Sequence, residues 1–165
     1  MKIIMLAGKA GAGKDTSYIV LSKLYKDTKR YAFADALKDV AYQLSWDGLK
    51  DDKGRRFLQN LGNVAREYNK NVWADIVADD IEQWGTGLAV ITDFRFPNEY
   101  YVIENRFPKQ VYTINIYGRA YDLGKNGNDV SENSLTHWEF DFQVNNDSTI
   151  ENLQSQLSVV MERIM

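Results

Sequence analysis

The stretch Lys2-Ile-Ile-Met-Leu-Ala-Gly8-Lys-Ala-Gly11-Ala-Gly13-Lys14-Asp15-Thr16 decides the fold, because an apolar run there enters a glycine-rich turn that ends in Gly-Lys. Apolar residues at helical spacing follow this turn, up to Tyr25. Glycines let a backbone wrap closely around phosphates, and the first amides of the following helix point towards them. The stretch therefore predicts a phosphate-binding loop between a strand and a helix.

The lysine of this loop and the residue after it define the expected ligands. Lys14 would reach the terminal phosphates of a nucleoside triphosphate, which we expect to be ATP. The Ser or Thr that normally follows the lysine and binds Mg²⁺ is Asp15 here. Two alternatives stay open: Asp15 holds the metal directly or through water, or Thr16 substitutes for it. The predicted ATP-binding residues are Gly8, Ala10, Gly11, Ala12, Gly13, Lys14, Asp15 and Thr16.

Composition bounds the class of protein. With 165 residues and 44% hydrophobic content, the chain 1–165 suits one well-buried domain. A net charge of −3 disfavours a surface that coats nucleic acid. The sequence has no cysteine and no long apolar run, which excludes thiolate chemistry and makes a membrane span unexpected. We expect a cytoplasmic protein that binds small nucleotides, with no membrane or nucleic-acid partner, and leave a homodimer open.

Strand and helix patterns alternate along the chain, which predicts an α/β fold with three layers and a parallel five-stranded sheet. Asp35 looks like the N-cap of the second helix, and Val64 and Tyr68 are expected to face inward from the third. The predicted strands cover 2–7, 30–34, 88–92, 110–117 and 139–144. The predicted helices cover 16–25, 35–44, 55–68, 71–84, 98–105 and 149–165.

Asp93 and Arg95 follow the run Leu88-Ala-Val-Ile-Thr92, which is typical of a buried parallel strand. Ligands of α/β sheets bind at the carboxyl ends of such strands, so Asp93 is a candidate metal ligand. Arg95 would lie on the same rim and could bind a phosphate with two hydrogen bonds. The alternatives are a turn or helix cap for Asp93, and a pair with Glu99 or Asp93 for Arg95.

The helix 55–68 carries a polar face about forty residues beyond Lys14. If that face lies in the cleft, Arg56 could bind an acceptor phosphate, and Gln59 or Asn63 could contact a base edge. The alternative is an ordinary solvated helix face. Asp35 and Lys38 could also face the cleft, or could serve only as an N-cap and a surface lysine.

The Gly- and Asn-rich segment 117–128 suggests a mobile flap. Arg119 and Lys125 could swing from it onto phosphate, and a solvent loop without a role is the alternative. His137 is the single histidine, and the residues around it offer no catalytic arrangement. We therefore expect His137 to be structural or at the surface.

Motifs along nearly the whole chain resemble the bacteriophage-type deoxynucleoside monophosphate kinases. The most distinctive are the Gly-Lys-Asp-Thr ending of the loop and Asp-Phe-Arg-Phe-Pro-Asn-Glu. In chain order the matching pieces are Gly8 to Thr16, Phe33-Ala-Asp-Ala-Leu-Lys38, Arg55-Arg-Phe-Leu-Gln-Asn-Leu-Gly62, Trp73, Thr92-Asp-Phe-Arg-Phe-Pro-Asn-Glu99, Val130-Ser-Glu132 and Asn145-Asn-Asp-Ser-Thr-Ile-Glu-Asn-Leu153.

The resemblance implies Mg²⁺-assisted transfer of phosphate from ATP to a deoxynucleoside monophosphate. It implies a three-layer P-loop NTPase fold with a helical acceptor-binding insertion at 35–84 and a short lid at 118–136. It makes Asp15 an expected variant of the loop. The implied catalytic residues are Lys14, Asp93, Arg95 and Arg119, with Asp15 and Asp93 at the metal. The implied substrate-binding residues are Asp35, Lys38, Arg56, Gln59, Asn63, Trp73, Arg95 and Glu132.

Two other functions remain open at this point. One is a P-loop kinase for another small phosphorylated acceptor, similar to phosphomevalonate kinase. The other is a nucleotide-binding regulatory protein with slow or no turnover. Aromatic stacking from Phe33, Tyr68 or Trp73 would matter for a base and not for an isoprenoid.

Overall fold

A computed structural model describes residues 1–118 and 134–165 of the chain. Within these ranges are five strands, β1 (Lys2–Ala7), β2 (Thr28–Tyr31), β3 (Leu88–Ile91), β4 (Val111–Tyr117) and β5 (Phe142–Asn145). The helices are α1 (Lys14–Leu24), α2 (Phe33–Gln43), α3 (Asp52–Tyr68), α4 (Val72–Trp84), α5 (Pro97–Arg106) and α6 (Ile150–Ile164). The strands form one parallel sheet in the order β2-β3-β1-β4-β5. The predicted parallel α/β sheet is confirmed.

The central strand β1 divides the core into two layers because its side chains alternate between the faces of the sheet. Ile3 and Met5 pack into a cluster with α2, α4 and α5. Ile4 and Leu6 pack into a second cluster with α1 and α6. All four of these side chains are fully buried, so helices cover both faces of the sheet as expected for three layers.

The second strand and helix begin earlier than the sequence predicts. The strand β2 ends at Tyr31, and α2 begins at Phe33 with Ala32 as its N-cap residue. The prediction that Asp35 caps this helix is therefore wrong. The side chain of Asp93, far along the sequence, instead accepts the capping hydrogen bonds from the backbone N–H groups of Phe33 and Ala34.

The third helix is more exposed than its apolar periodicity predicts. Val64 and Tyr68 are 64% and 97% exposed, so the prediction that they face inward is wrong. The physical reason is that α3 packs against α2 on the outside of the layer, with its fully buried positions at Gly54 and Gly62. None of the described helices is long and apolar enough to cross a membrane.

The last strand starts later than predicted because Asp141 replaces a backbone partner. Its carboxylate accepts hydrogen bonds from the backbone N–H of Thr113 at 2.7 Å and from its hydroxyl at 2.8 Å. Ladder pairing with β4 then begins with Phe142 opposite Ile114. The residues 139–141 therefore precede the strand instead of belonging to it.

Candidate active site

The loop between β1 and α1 holds its backbone in conformations that require glycine. Gly8 and Gly13 have φ angles of 139° and 100°. A Cβ at Gly8 would lie 2.2 Å from the carbonyl oxygen of Ile116, and one at Gly13 would lie 2.2 Å from Nδ2 of Asn146. The bare backbone therefore packs closely against Ile116 and Asn146, in a turn that other residues at these two positions would disrupt.

Lys14 is the first residue of α1 and folds back over the loop. Its Nζ donates hydrogen bonds to the carbonyl oxygens of Gly8 at 2.5 Å and Lys9 at 3.0 Å. The positive end of the α1 dipole faces the loop, because the helix begins directly after it. The N-cap residue is Gly13, which has no side chain to occupy the first amides of the helix. The ammonium group and the helix N-terminus together make this turn suited to an anion.

The two residues after the lysine differ in their exposure. The side chain of Asp15 is 78% exposed, whereas Thr16 is partly buried. Ser17, which is fully buried, donates from its hydroxyl to the carbonyl oxygen of Gly13 at 2.9 Å. Asp15 is therefore the side chain of this turn that is open to a metal ion from solvent.

Asp93 follows β3 and caps the first turn of α2. Its two carboxylate oxygens accept hydrogen bonds from the backbone N–H groups of Phe33 and Ala34, each at 2.9 Å. Burial raises the pKa of Asp93, while these two amides and the charge of Arg95 act in the opposite direction. The helix-cap alternative is thus observed, and Asp93 still lies on the rim of the sheet next to the loop.

The segment after Asp93 is fixed by the carboxylate of Glu99. The Oε2 atom of Glu99 accepts hydrogen bonds from the backbone N–H groups of Arg95 at 2.8 Å and Phe96 at 3.0 Å. Burial raises the pKa of Glu99 to about 8 against the effect of these amides. Glu99 therefore anchors Arg95 through its backbone, not through an ion pair with the guanidinium.

A network of four exposed or half-exposed charges joins α1, β2 and α2. Arg30 donates to Asp35 Oδ2 at 2.6 Å and lies 3.4 Å from Asp15 Oδ1, and Lys38 donates to Asp35 Oδ1 at 2.5 Å. Burial acts to raise the pKa of Asp35, but Lys38 and Arg30 outweigh it and hold that pKa below its usual range. Arg30 is not a predicted site residue, because the sequence places it at the start of the second strand, whereas β2 ends one residue after it, at Tyr31.

The polar face of α3 is exposed, as it would be both in an open cleft and on an ordinary helix surface. Arg56, Gln59 and Asn63 are all exposed. Trp73 is only 5% exposed and packs in the core, and its indole Nε1 has no hydrogen-bond partner among the described residues. Tyr68 is too exposed to form part of a pocket wall with Trp73.

The remaining predicted residues lie near or inside the undescribed segment. Arg119, Lys125 and Glu132 lie outside the described residues, as does most of the predicted lid at 118–136. His137 is exposed, which confirms the prediction of a structural or surface position. Within 1–118 and 134–165, no three His, Asp or Glu side chains cluster as a metal site would require.

Solved structures similar to this chain share its whole fold. TT1252 from Thermus thermophilus has a TM-score of 0.62 at 12% identity and covers 99% of this chain and 98% of that one. Shikimate kinase from Aquifex aeolicus has a TM-score of 0.58 at 16% identity, covering 98% and 96%. The Mycobacterium tuberculosis APS kinase CysC in complex with AMPPNP and APS has a TM-score of 0.53 at 10% identity, covering 98% and 97%.

The chain has the fold of a P-loop kinase. Comparison with family profiles gave no match, and neither did comparison with curated protein sequences. At these low identities the similarity concerns the fold.

Proposed function

We propose that this chain transfers the terminal phosphate of ATP to a deoxynucleoside monophosphate and forms the diphosphate. The observation that carries this proposal is the parallel pairing of β1 and β3, with Met5 opposite Ile91. It brings the loop after β1 and the segment Asp93 to Arg95 after β3 to the same edge of the sheet, beside the first turn of α2. A donor phosphate on the loop would then face an acceptor held by the helices beyond.

The proposed transfer uses positioning and charge more than covalent chemistry. The loop amides and Lys14 would hold the ATP phosphates, and Arg95 would bind the acceptor phosphate. An acceptor oxygen attacks the γ-phosphorus, and the bond from that phosphorus to the bridging oxygen of ADP breaks. Because a monophosphate oxygen is already ionised, the reaction needs no general base. A chain with one histidine and no cysteine suits such a reaction.

Magnesium would fit the acidic side chains at this edge. Asp15 is exposed beside Lys14, and the oxygens of Asp93 retain lone pairs beyond those that the α2 amides occupy. Carboxylate oxygens are suitable ligands for Mg²⁺, which also keeps several waters. The ion would neutralise charge on the transferred phosphate.

Two features of the acceptor side support a nucleotide as the second substrate. The exposed amides of Gln59 and Asn63 offer donors and acceptors of the kind that bind base edges. The motifs Phe33 to Lys38 and Arg55 to Gly62, which resemble deoxynucleoside monophosphate kinases, form α2 and α3. The undescribed segment would supply Arg119, as a lid residue, and Glu132, as a substrate-binding residue.

A kinase for another small phosphorylated acceptor is the second candidate. Shikimate kinase shares this fold over the full chain, so the fold is compatible with an acceptor that has no base. A nucleotide-binding regulatory protein without turnover would share the loop. It would bind nucleotide tightly, and this binding would survive Arg95→Ala.

The deciding experiment measures ADP formation from ATP and Mg²⁺ with a panel of deoxynucleoside and ribonucleoside monophosphates. A reaction without acceptor serves as the background. We expect acceptor-dependent turnover with one or a few deoxynucleotides, and a decrease in kcat of roughly 10²-fold for Lys14→Ala and for Arg95→Ala. A panel no faster than background would contradict the proposal. Phosphomevalonate is tested in the same assay, and turnover with it alone would establish the second candidate.

A further inference from the structure

Arg66 connects α3 to the segment that carries Arg95. Its guanidinium carbon lies 5.7 Å from the centroid of the Phe96 ring, which is a cation–π contact. Phe96 directly follows Arg95, and both backbone amides are held by Glu99. The contact therefore directs a cation of α3 towards the rim on which Arg95 lies.

Gly62 gives this guanidinium the space it occupies. A Cβ at Gly62 would lie 3.2 Å from Nη1 of Arg66 and 3.5 Å from Cδ2 of Leu37. A glycine inside a helix costs about 1 kcal/mol relative to alanine. Gly62 therefore lowers the stability of the helix, but it leaves room between α3 and α2 for the guanidinium of Arg66.

The charge of Arg66 acts on the segment after β3. Burial raises the pKa of Glu99, and the positive charge of Arg66 is among the effects that oppose the rise. Arg66 forms no ion pair within the described part of the chain. Its side chain is exposed, so a ligand can reach the guanidinium.

The other arginines of α3 are placed differently. Arg55 donates from Nε to the carbonyl oxygen of Lys50 at 2.8 Å, at the start of the helix. Arg56 precedes Gly62 by six residues, which places it about 120° around the helix from the Gly62 position. Arg66 follows Gly62 by four residues and shares its face. Among these three side chains, Arg66 is the one in contact with the Arg95 segment.

We propose that Arg66 and Arg95 together bind the phosphate of the acceptor, so that the phosphate-binding cation of α3 is Arg66 and not Arg56. The inference rests on the proposed function and names a residue of that same site. Two guanidinium groups on neighbouring elements can bind one phosphate with several charge-assisted hydrogen bonds. Phe96 would then act as a platform that orients the Arg66 side chain.

Steady-state kinetics of four variants test this inference. We expect Arg66→Ala to raise the KM for the acceptor at least tenfold while the KM for ATP changes less than twofold, and Arg66→Lys to restore part of the loss. Arg56→Ala should raise the acceptor KM less than Arg66→Ala does. Lys53→Ala removes another exposed cation of α3 and serves as the control for net charge.

Gly62→Ala gives an independent readout because it separates folding from binding. The new Cβ would displace the flexible end of Arg66, while alanine favours the helix. We expect an unchanged or higher Tm together with a severalfold higher acceptor KM. An acceptor KM that Arg66→Ala and Gly62→Ala leave at the level of Lys53→Ala would overturn the inference.

Calorimetric titration with the deoxynucleoside monophosphates, without ATP, distinguishes failure of this inference from failure of the proposed function. A wild-type chain that binds a monophosphate without turnover contradicts the proposed reaction, and a tenfold loss of that binding in Arg66→Ala still supports the role of Arg66. A wild-type chain that neither binds nor phosphorylates any member of the panel contradicts both.

Discussion

Asn146 donates a hydrogen bond from its side-chain Nδ2 to the carbonyl oxygen of Ala12 at 2.9 Å, joining two residues 134 positions apart in the chain. Asn146 follows β5 and is buried, and Ala12 lies in the middle of the loop between β1 and α1, which is the proposed phosphate-binding loop. This hydrogen bond thus fixes the loop to the residue that follows β5. Preorganised loops of this kind do not need to reorder when the ligand arrives.

Asn146→Ala is expected to loosen the loop and weaken ATP binding. The substitution leaves a buried carbonyl oxygen without its donor, which costs roughly 1–3 kcal/mol of unfolding free energy. We expect a severalfold increase in the KM for ATP with little change in the acceptor KM. Urea unfolding and initial rates measure both effects, with Asn105→Ala on the exposed surface of α5 as the control. Equal effects of Asn146→Ala and Asn105→Ala would show that the hydrogen bond from Asn146 to Ala12 does not stabilise the loop.

Gly13→Ala is expected to abolish nucleotide binding. Its φ of 100° disfavours any side chain, and the added Cβ would lie 2.2 Å from Nδ2 of Asn146. Gly85→Ala is the matched control, since Gly85 also has a positive φ but its Cβ would meet the Glu82 carbonyl oxygen at 3.4 Å. We expect the control to lose only about 1 kcal/mol of stability and to bind ATP normally in a titration. Normal ATP binding by Gly13→Ala would contradict the proposed role of this loop in holding the ATP phosphates.

Asp93→Ala is expected to destabilise α2 as well as to reduce activity. It removes both acceptors for the amides of Phe33 and Ala34, and loss of such a cap costs about 1–2 kcal/mol. Asp39→Ala, at an exposed position of the same helix, should cost much less. Thermal unfolding compares the two variants, and hydrogen exchange of the Phe33 amide reports the cap directly. Unchanged exchange at that amide would exclude the capping role.

Glu99→Gln is expected to change how stability depends on pH. The pKa of Glu99 in the folded chain is raised to about 8 from an ordinary value of 4.5, so the folded state binds the proton more tightly than the unfolded state. The stability that this provides is present below pH 4.5 and is lost as pH rises through about 8. Relative to Glu99→Gln, the wild type should therefore lose unfolding free energy between pH 5 and 8. Urea titrations at several pH values measure this difference, and parallel curves would contradict it.

The glycine-rich turn between β1 and α1 was predictable from the sequence because all of its determinants are contiguous. The sheet edge was predictable in part, since Asp93 and Arg95 directly follow a continuous apolar run. The start of α2 was not predictable, because its cap comes from Asp93, 60 residues away from Phe33. A local pattern could only suggest the nearer Asp35.

The hydrophobic periodicity also did not predict which face of α3 is buried. Apolar spacing predicted that Val64 and Tyr68 face inward, but both are exposed, and α3 lies against Leu37 of α2 at Gly62. The same spacing that makes Gly62 and Arg66 neighbours was visible in the sequence. What could not be seen was Phe96 of another element lying opposite them.

The carboxylate of Asp93 caps α2 and is also a proposed ligand of the metal ion. A cation on the remaining lone pairs would draw electron density from the oxygens that accept from the Phe33 and Ala34 amides, and would weaken those hydrogen bonds. On the proposed function, metal binding at Asp93 would therefore loosen the first turn of α2.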